Sequence, residues 1–422
     1  MTRRTRPPGA SGVAPALVVL VSAVVLVDTI FFTALTPLLP HYVHSLGLSK
    51  AQAGILVASY PIGTLVGAVP SGVLASRIGV RPAVLFGLAA MSVASLVFGY
   101  AHSIVLLDAA RFVQGVAGAC TWAGGLAWLA AAASAERRGA ALGTAFSAAV
   151  GGALLGPVIG AVASHVGTGP AFSAATVAGG TLMVASLFVP KPLVGVRQTL
   201  RNALPAIAEP DISLGLWLTF LAGLALGVVD VLAPLRLNRL GADALVIAGI
   251  FLAAAAVEVV LAPLVGRLAD RRGRMAPVRL SLIAAIVFGV LVPWLRPLPV
   301  LGVLLVVGLP SLGTLFVPAA AMIGDGAERR QLHHGLAYGL GNLAWAGGQG
   351  IAAAASGALA QATIDAVPYL LMVMTMAGTV LVLWRRGDRT RESGVNVVEI
   401  ETRSDGGTEG RSEGRLEGGA EA

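Results

Sequence analysis

Twelve apolar runs, each long enough to cross a bilayer, follow one another along this chain. They lie at approximately 13–39, 51–75, 83–101, 104–129, 139–163, 171–189, 213–235, 244–268, 277–295, 298–322, 334–360 and 366–384. A spanning helix needs about 20 apolar residues, and in hydrocarbon only helices or closed barrels satisfy their own backbone. Barrel strands run to about ten residues, so runs of this length read as helices. Composition agrees: 56% of the 422 residues are hydrophobic and 12% charged, with mean hydropathy +0.84. Soluble chains carry roughly 25% charged residues. The expected fold class is therefore an all-α polytopic membrane protein with twelve transmembrane helices.

The connections alternate in charge. One side carries 21 basic residues, from Arg3, Arg4 and Arg6 through the loops at Arg77, Arg137, Lys191, Arg267 and Arg329 to Arg385, Arg386, Arg389 and Arg391. The other side carries four: Lys50, Arg236, Arg239 and Arg296. Basic residues accumulate in cytoplasmic loops, which places both termini in the cytoplasm and the chain in the cell membrane. The net charge of +8 thus belongs to membrane topology and not to a nucleic-acid partner. The run from Val13 to Leu39 is too long for a signal-peptide core and reads as a retained first span. Cys120 is the single cysteine, so no intrachain disulfide forms; it reads as a packing residue.

The chain repeats itself. Residues 72–81 read GVLASRIGVR and residues 266–275 read GRLADRRGRM, an offset of 194. The same offset pairs Pro40 with Pro234, Gly47 with Gly241, Arg77 with Arg271, and Gly79 with Gly273. Expected divisions are a cytoplasmic tail at 1–12, a six-helix bundle at 13–189, a cytoplasmic linker at 190–212, a second bundle at 213–384 and a disordered tail at 385–422.

Four motifs carry a family resemblance over about residues 15–384. Gly266, Leu268, Ala269, Asp270, Arg271, Gly273 and Arg274 complete G-x-L-A-D-R-x-G-R; the first-half copy has Gly72, Arg77 and Gly79, with Ser76 where the acid is expected. The fourth run holds L-x-x-x-R-x-x-Q-G at Leu107, Arg111, Gln114 and Gly115, and Asp108 stands one turn from Arg111, where it can pair with it. The fifth holds G-x-x-x-G-P-x-x-G at Gly152, Gly156, Pro157 and Gly160. The first reads VDTIFFTALTPLLP. With these, the chain resembles the major facilitator superfamily, and within it the twelve-span drug:proton antiporters and the vesicular amine transporters. The resemblance implies two pseudo-symmetric six-helix bundles with a midplane substrate site between them. It implies a cytoplasmic gate at Gly72, Ser76, Arg77, Gly79, Gly266, Asp270, Arg271 and Gly273, weakened where Ser76 replaces an acid. It implies proton coupling through Arg111, antiport through the glycines of the fifth run, and substrate contact at Asp28. Tyr60 stands where the amine transporters place a lysine, so monoamine specificity is not carried over.

Besides Asp108, three acids interrupt the apolar runs: Asp28, Asp230 and Glu258. Charged groups within spans are costly and mark transport pathways. A desolvated carboxyl exchanges between a proton and a bound cation, and that competition suffices for antiport. Under the repeat, Glu258 pairs with Thr64 and Asp230 with Thr36, so neither acid belongs to the repeated scaffold. Asn342, Trp345 and Gln349 fall roughly on one face of the eleventh run, where they can line a cavity for an amphipathic cation or simply pack.

No H-E-x-x-H or phosphate-cradling G-x-x-x-x-G-K-[ST] occurs, and the H-x-x-H at His41 and His44 has no carboxylate at ligand spacing. A membrane-embedded enzyme is thereby disfavoured, as are a metal, a cofactor and ATP-driven transport. The expected function is proton-coupled efflux of small hydrophobic or cationic compounds by a monomer. A symporter or uniporter of a small metabolite is the nearest alternative.

Overall fold

The computed structural model describes residues 15–133, 135–189, 205–332 and 334–405. The proposed tail at 1–12, most of the linker, and His333 lie outside them. The described chain forms α1 (Pro15–Thr33), α2 (Leu35–Leu46), α3 (Lys50–Ile78), α4 (Val80–Tyr100), α5 (Ile104–Ala132), α6 (Ala135–Val166) and α7 (Thr168–Phe188). These are followed by α8 (Pro210–Arg239), α9 (Ala244–Arg272), α10 (Met275–Leu291), α11 (Leu298–Gly308), α12 (Pro310–Gly313), α13 (Phe316–Arg329), α14 (His334–Ala362) and α15 (Ala366–Asp405). Ten stretches are long and apolar enough to cross a membrane; α1 and α2 together make the first, and α11 to α13 together make another. The shorter α10 and the glycine- and alanine-rich α14 bring the spans to twelve.

Large apolar side chains stay exposed all round the bundle, among them Val19, Phe86, Val105, Phe188, Val260 and Met374. A surface this apolar is stable only against lipid. Inside, small residues let the helices approach closely, as packing within lipid requires. A side chain at Gly63 would fall on the backbone of Phe112, and one at Gly54 would meet Ala353 O at 2.6 Å.

The 194-residue repeat reappears as local geometry. Ser49 caps α3 by accepting from Gln52 N, and Asp243, its repeat partner, caps α9 by accepting from Val246 N. Gly47 and Gly241 have φ of 63° and 94°; Gly79 and Gly273 have φ of 95° and 77°. Left-handed backbone at repeated positions explains why glycine stands at both copies.

The ends of the two halves differ. At the end opposite the loop motifs, Lys50 on α3 makes an ion pair with Asp365 at 2.5 Å and donates to Ala360 O at 3.3 Å. Gln361 Oε1 accepts from Ala51 N at 3.0 Å, and Gly357 packs on Gly54. Arg239 shares the Asp365 carboxylate. At the loop-motif end, no ion pair recorded among the described residues reaches the first half: Arg274 pairs with Asp325, Arg329 with Glu209 and Asp211, and Arg330 with Glu209.

Helix α15 continues to Asp405. No proline follows Pro368 to stop it, and it ends just before Gly406 and Gly407; residues 406–422 lie outside the described region. Asp270 is exposed and makes no ion pair among the described residues; Arg274 of the same loop pairs with Asp325. The loop glycines Gly72 and Gly266 have open space beside them, Arg77 and Arg271 are exposed, and the Ser76 side chain lies outside the described atoms.

Candidate functional site

Asp28 sits on α1 within the bundle and is 4% exposed. Its carboxylate accepts from the Tyr60 hydroxyl of α3 at 2.9 Å to both oxygens. Trp122 Nε1 of α5 donates to its Oδ2 at 2.8 Å. Among the described residues no cation lies within ion-pair distance of it. Tyr60, the residue that departs from the amine-transporter pattern, thus supplies a neutral donor where a lysine would supply a charge. Gly118 keeps the approach open, since a side chain there would meet the Tyr60 hydroxyl at 2.6 Å and Asp28 Oδ1 at 3.0 Å.

Arg111 on α5 is 1% exposed and does not pair with Asp108. Its Nη1 donates to Phe31 O at 3.1 Å and to Gln114 Oε1 at 3.2 Å, and its Nη2 donates to Phe32 O at 3.2 Å. The guanidinium also lies over the rings of Tyr60 at 5.0 Å, Phe32 at 5.7 Å and Phe98 at 5.9 Å. A buried cation must be compensated, and here carbonyls at the α1–α2 bend and aromatic faces do it. Asp108 Oδ1 is buried without a hydrogen-bond partner among the described residues. Gln114 in turn donates to Ser95 Oγ at 3.1 Å.

The fifth-span glycines hold α6 against α1. A side chain at Gly152 would meet Leu26 O at 2.7 Å, one at Gly156 would fall on Thr33 Oγ1, and one at Gly160 on Ala34 O. Their register with Asp28 is direct, since Thr29, Ile30 and Thr33 belong to the same helix. Pro157 lies within α6 without ending it.

Across the seam, α14 brings Trp345 to Phe32, with ring centroids 5.5 Å apart in an edge-to-face arrangement. Gln349, 1% exposed, donates from Nε2 to Asp230 Oδ2 at 2.9 Å. Asp230 does not pair with Arg236, which donates instead to Leu295 O at 2.7 Å. Asn342 is half-buried and is not drawn into these contacts. Glu258 packs against Gly313 of the tenth span and takes no part in these contacts. Asp28, Arg111 and Tyr60 therefore form one cluster, Trp345 faces it from the second half, and the Asp230–Gln349 pair stands behind Trp345.

Trp122, Phe32 and Gly118 were not singled out from sequence. Arg111, Gly115, Gly118 and Trp122 are spaced 4, 3 and 4 residues apart, which puts them on one helix face. That spacing was the available signal.

The sequence matches the Major Facilitator Superfamily over residues 21–333. It is 29% identical over 124 residues to "MFS-type transporter ppzB" of Metarhizium rileyi, 28% of this chain and 26% of that protein. It is 30% identical over 80 residues to "Quinolone resistance protein NorA" of Staphylococcus aureus, 19% of this chain and 21% of that one. These alignments span about a quarter of the curated relatives' length. Among solved structures, a bacterial homologue of the human lysosomal transporter Spinster, inward-facing and unoccupied, superposes with TM-score 0.62 at 14% identity, covering 89% of this chain and 99% of that one. A point mutant of the nucleoside transporter NupG superposes with TM-score 0.68 at 12% identity, covering 87% and 99%.

Proposed function

The chain belongs to the Major Facilitator Superfamily, and on that premise we propose that it exports small hydrophobic or cationic compounds in exchange for protons. The observation that carries this reading is the state of Asp28. It is a buried carboxylate held by two neutral donors, Tyr60 and Trp122, with no ion-pair partner among the described residues. Such a group is free to take either a proton or a cation, and one excludes the other. Phe32 and Trp345, one from each half, offer aromatic faces beside it, a setting suited to an amphipathic cation.

In this mechanism the donors Tyr60 and Trp122 fix where the carboxylate points. Arg111 stays positively charged throughout, tied to the carbonyls of Phe31 and Phe32, so it links the cluster to the α1–α2 bend. Residues 13–189 and 213–384 rock as two bundles about the linker at 190–212, in a monomer whose termini are cytoplasmic in the cell membrane. On that orientation Lys50 and Asp365 close the outer face. The loop glycines from Gly72 to Gly79 and from Gly266 to Gly273 serve the inner gate, and Asp230 with Gln349 forms a second acid site behind the seam.

The test is reconstitution in liposomes under an imposed pH gradient, with tetraphenylphosphonium and ethidium as cationic probes. Probe-driven proton flux is expected in the unmodified protein and lost in Asp28→Asn. Flux that survives this substitution unchanged refutes the assignment of Asp28.

A further inference from the structure

The tenth span is broken. Helices α11, α12 and α13 are separated at Leu309 and again at Thr314 and Leu315. Pro310 has no amide hydrogen, so Val306 O lacks its helical donor, and Pro318 does the same to Thr314 O. The chain adapts with tighter bonds, Leu312 N to Leu309 O at 2.9 Å and Val317 N to Thr314 O at 3.3 Å. Hydroxyls take up other groups: Ser311 Oγ donates to Gly308 O at 2.6 Å, and Ser281 and Thr314 hydroxyls meet at 3.1 Å. Broken spans near the midplane persist in membranes only where protein or a cavity covers them.

Two side chains fill this break. The Phe288 ring occupies the space a side chain at Gly308 would need, and the Glu258 carboxyl occupies the space one at Gly313 would need. Glu258 makes no hydrogen bond or ion pair among the described residues. The repeat sharpens the point. Thr64, the counterpart of Glu258 at the 194 offset, lies on α3 and donates to Gly115 O on α5. In both halves the same position of the second span meets a glycine of the fourth. In the first half the contact is a neutral hydroxyl on an unbroken helix. In the second it is a carboxyl against a broken one.

We infer that Gly313 is a positioning residue whose missing side chain seats the Glu258 carboxyl in the break of the tenth span, making Glu258 the second bundle's own proton- or cation-loading group. A carboxyl in that seat exchanges its load beside the interruption at Thr314 and Leu315. The inference rests on the antiport reading above for its role in transport, and on the geometry alone for the seat.

The two are tested separately. Full-length protein in lipid is treated with dicyclohexylcarbodiimide, which modifies buried protonated carboxyls, and the adduct at Glu258 is followed by mass spectrometry. No substrate or gradient is needed. In the unmodified protein the seat holds the carboxyl against Gly313. Gly313→Ala is expected to raise the labelling rate several-fold, because the added methyl meets only the far end of a flexible side chain and turns it out of the break. Gly249→Ala, where open space awaits the methyl, should leave the rate unchanged. An equal rate in Gly313→Ala and the unmodified protein overturns the seat. Should Gly313→Ala fail to fold, addition of Glu258→Asp, one methylene shorter, is expected to restore folding; no restoration also overturns it. In liposomes, Gly313→Ala is expected to lower protons moved per tetraphenylphosphonium several-fold, with exchange of the probe retained. An unchanged ratio overturns the loading role, whereas absence of probe-driven flux in the unmodified protein refutes the antiport reading and leaves the seat to the labelling result.

Discussion

Lys50 of the first half and Asp365 of the second meet at 2.5 Å, and Arg239 grips the same carboxylate from within the second half. One anion thus serves two cations. When the halves part, Lys50 leaves for water while Asp365 keeps Arg239, so no charge is stranded. Lys50→Ala should therefore loosen this face only modestly. Exposed or half-exposed pairs contribute about 0–1 kcal/mol, and the labelling rate of a cysteine from Ala51→Cys, in a Cys120→Ser background, should rise about two- to five-fold. An unaltered rate would show that helix packing at Gly54 and Gly357 alone holds the face shut.

The same contact sets a pH response. Burial works to raise the Asp365 carboxyl, but hydrogen bonds from Arg239 and Lys50, aided by their charges, outweigh it and hold the group below the usual carboxylate range. For a carboxyl so depressed, the stabilisation is present above its ordinary value and is lost as pH falls through the lowered one. Labelling at Ala51→Cys should accordingly stay flat down to the usual carboxylate range and climb only below it. Asp365→Asn should abolish the climb.

Gly156 faces Thr33 Oγ1 and Ile30 O so closely that no side chain fits between α6 and α1. Gly156→Val should lower the thermal unfolding temperature, with a cost of about 1–3 kcal/mol from overpacking. Transport should fall with it, because α1 carries Asp28. A variant as stable as the unmodified protein would show that the helices separate at little cost.

Trp122→Phe keeps the ring and removes one donor from Asp28. An underbonded buried acceptor costs about 1–3 kcal/mol. Tyr60→Phe removes the other donor, and the double variant should lose more than the two single losses added, since each donor then no longer covers for the other. Thermal unfolding of the three variants checks the cycle; strict additivity would show that the donors act independently.

Arg111→Lys preserves the charge but not the fork that reaches Phe31 O, Phe32 O and Gln114 together. Guanidinium and ammonium are not interchangeable at such a site. Probe transport should drop at least about ten-fold in protein that remains folded by circular dichroism. Full activity in the lysine variant would mean that only the charge matters.

Much of the architecture was legible before any coordinate. Run lengths gave the spans, and Ser49 with Asp243 and Gly47 with Gly241 show the repeat surviving as matched caps and turns. The site was legible in part. Asp28, Arg111 and Tyr60 were recognisable as polar groups in apolar runs, and all three converge. Trp122 escaped because an indole in a membrane span is not conspicuous until its nitrogen is seen to have an acceptor.

The sequence by itself determined what each segment is, because hydrocarbon forces every apolar run of this length into a helix and leaves charge to mark the ends. It did not determine which side chains meet. Spans apolar on all faces carry no periodic signal of their neighbours, so Asp108 looked as good a partner for Arg111 as any. Only the tertiary structure turned Arg111 to the carbonyls of Phe31 and Phe32, left Asp28 to two neutral donors, and set Glu258 into the break at Gly313. Those choices follow from close helix approach at glycines, a property of pairs of helices that no single run of residues contains.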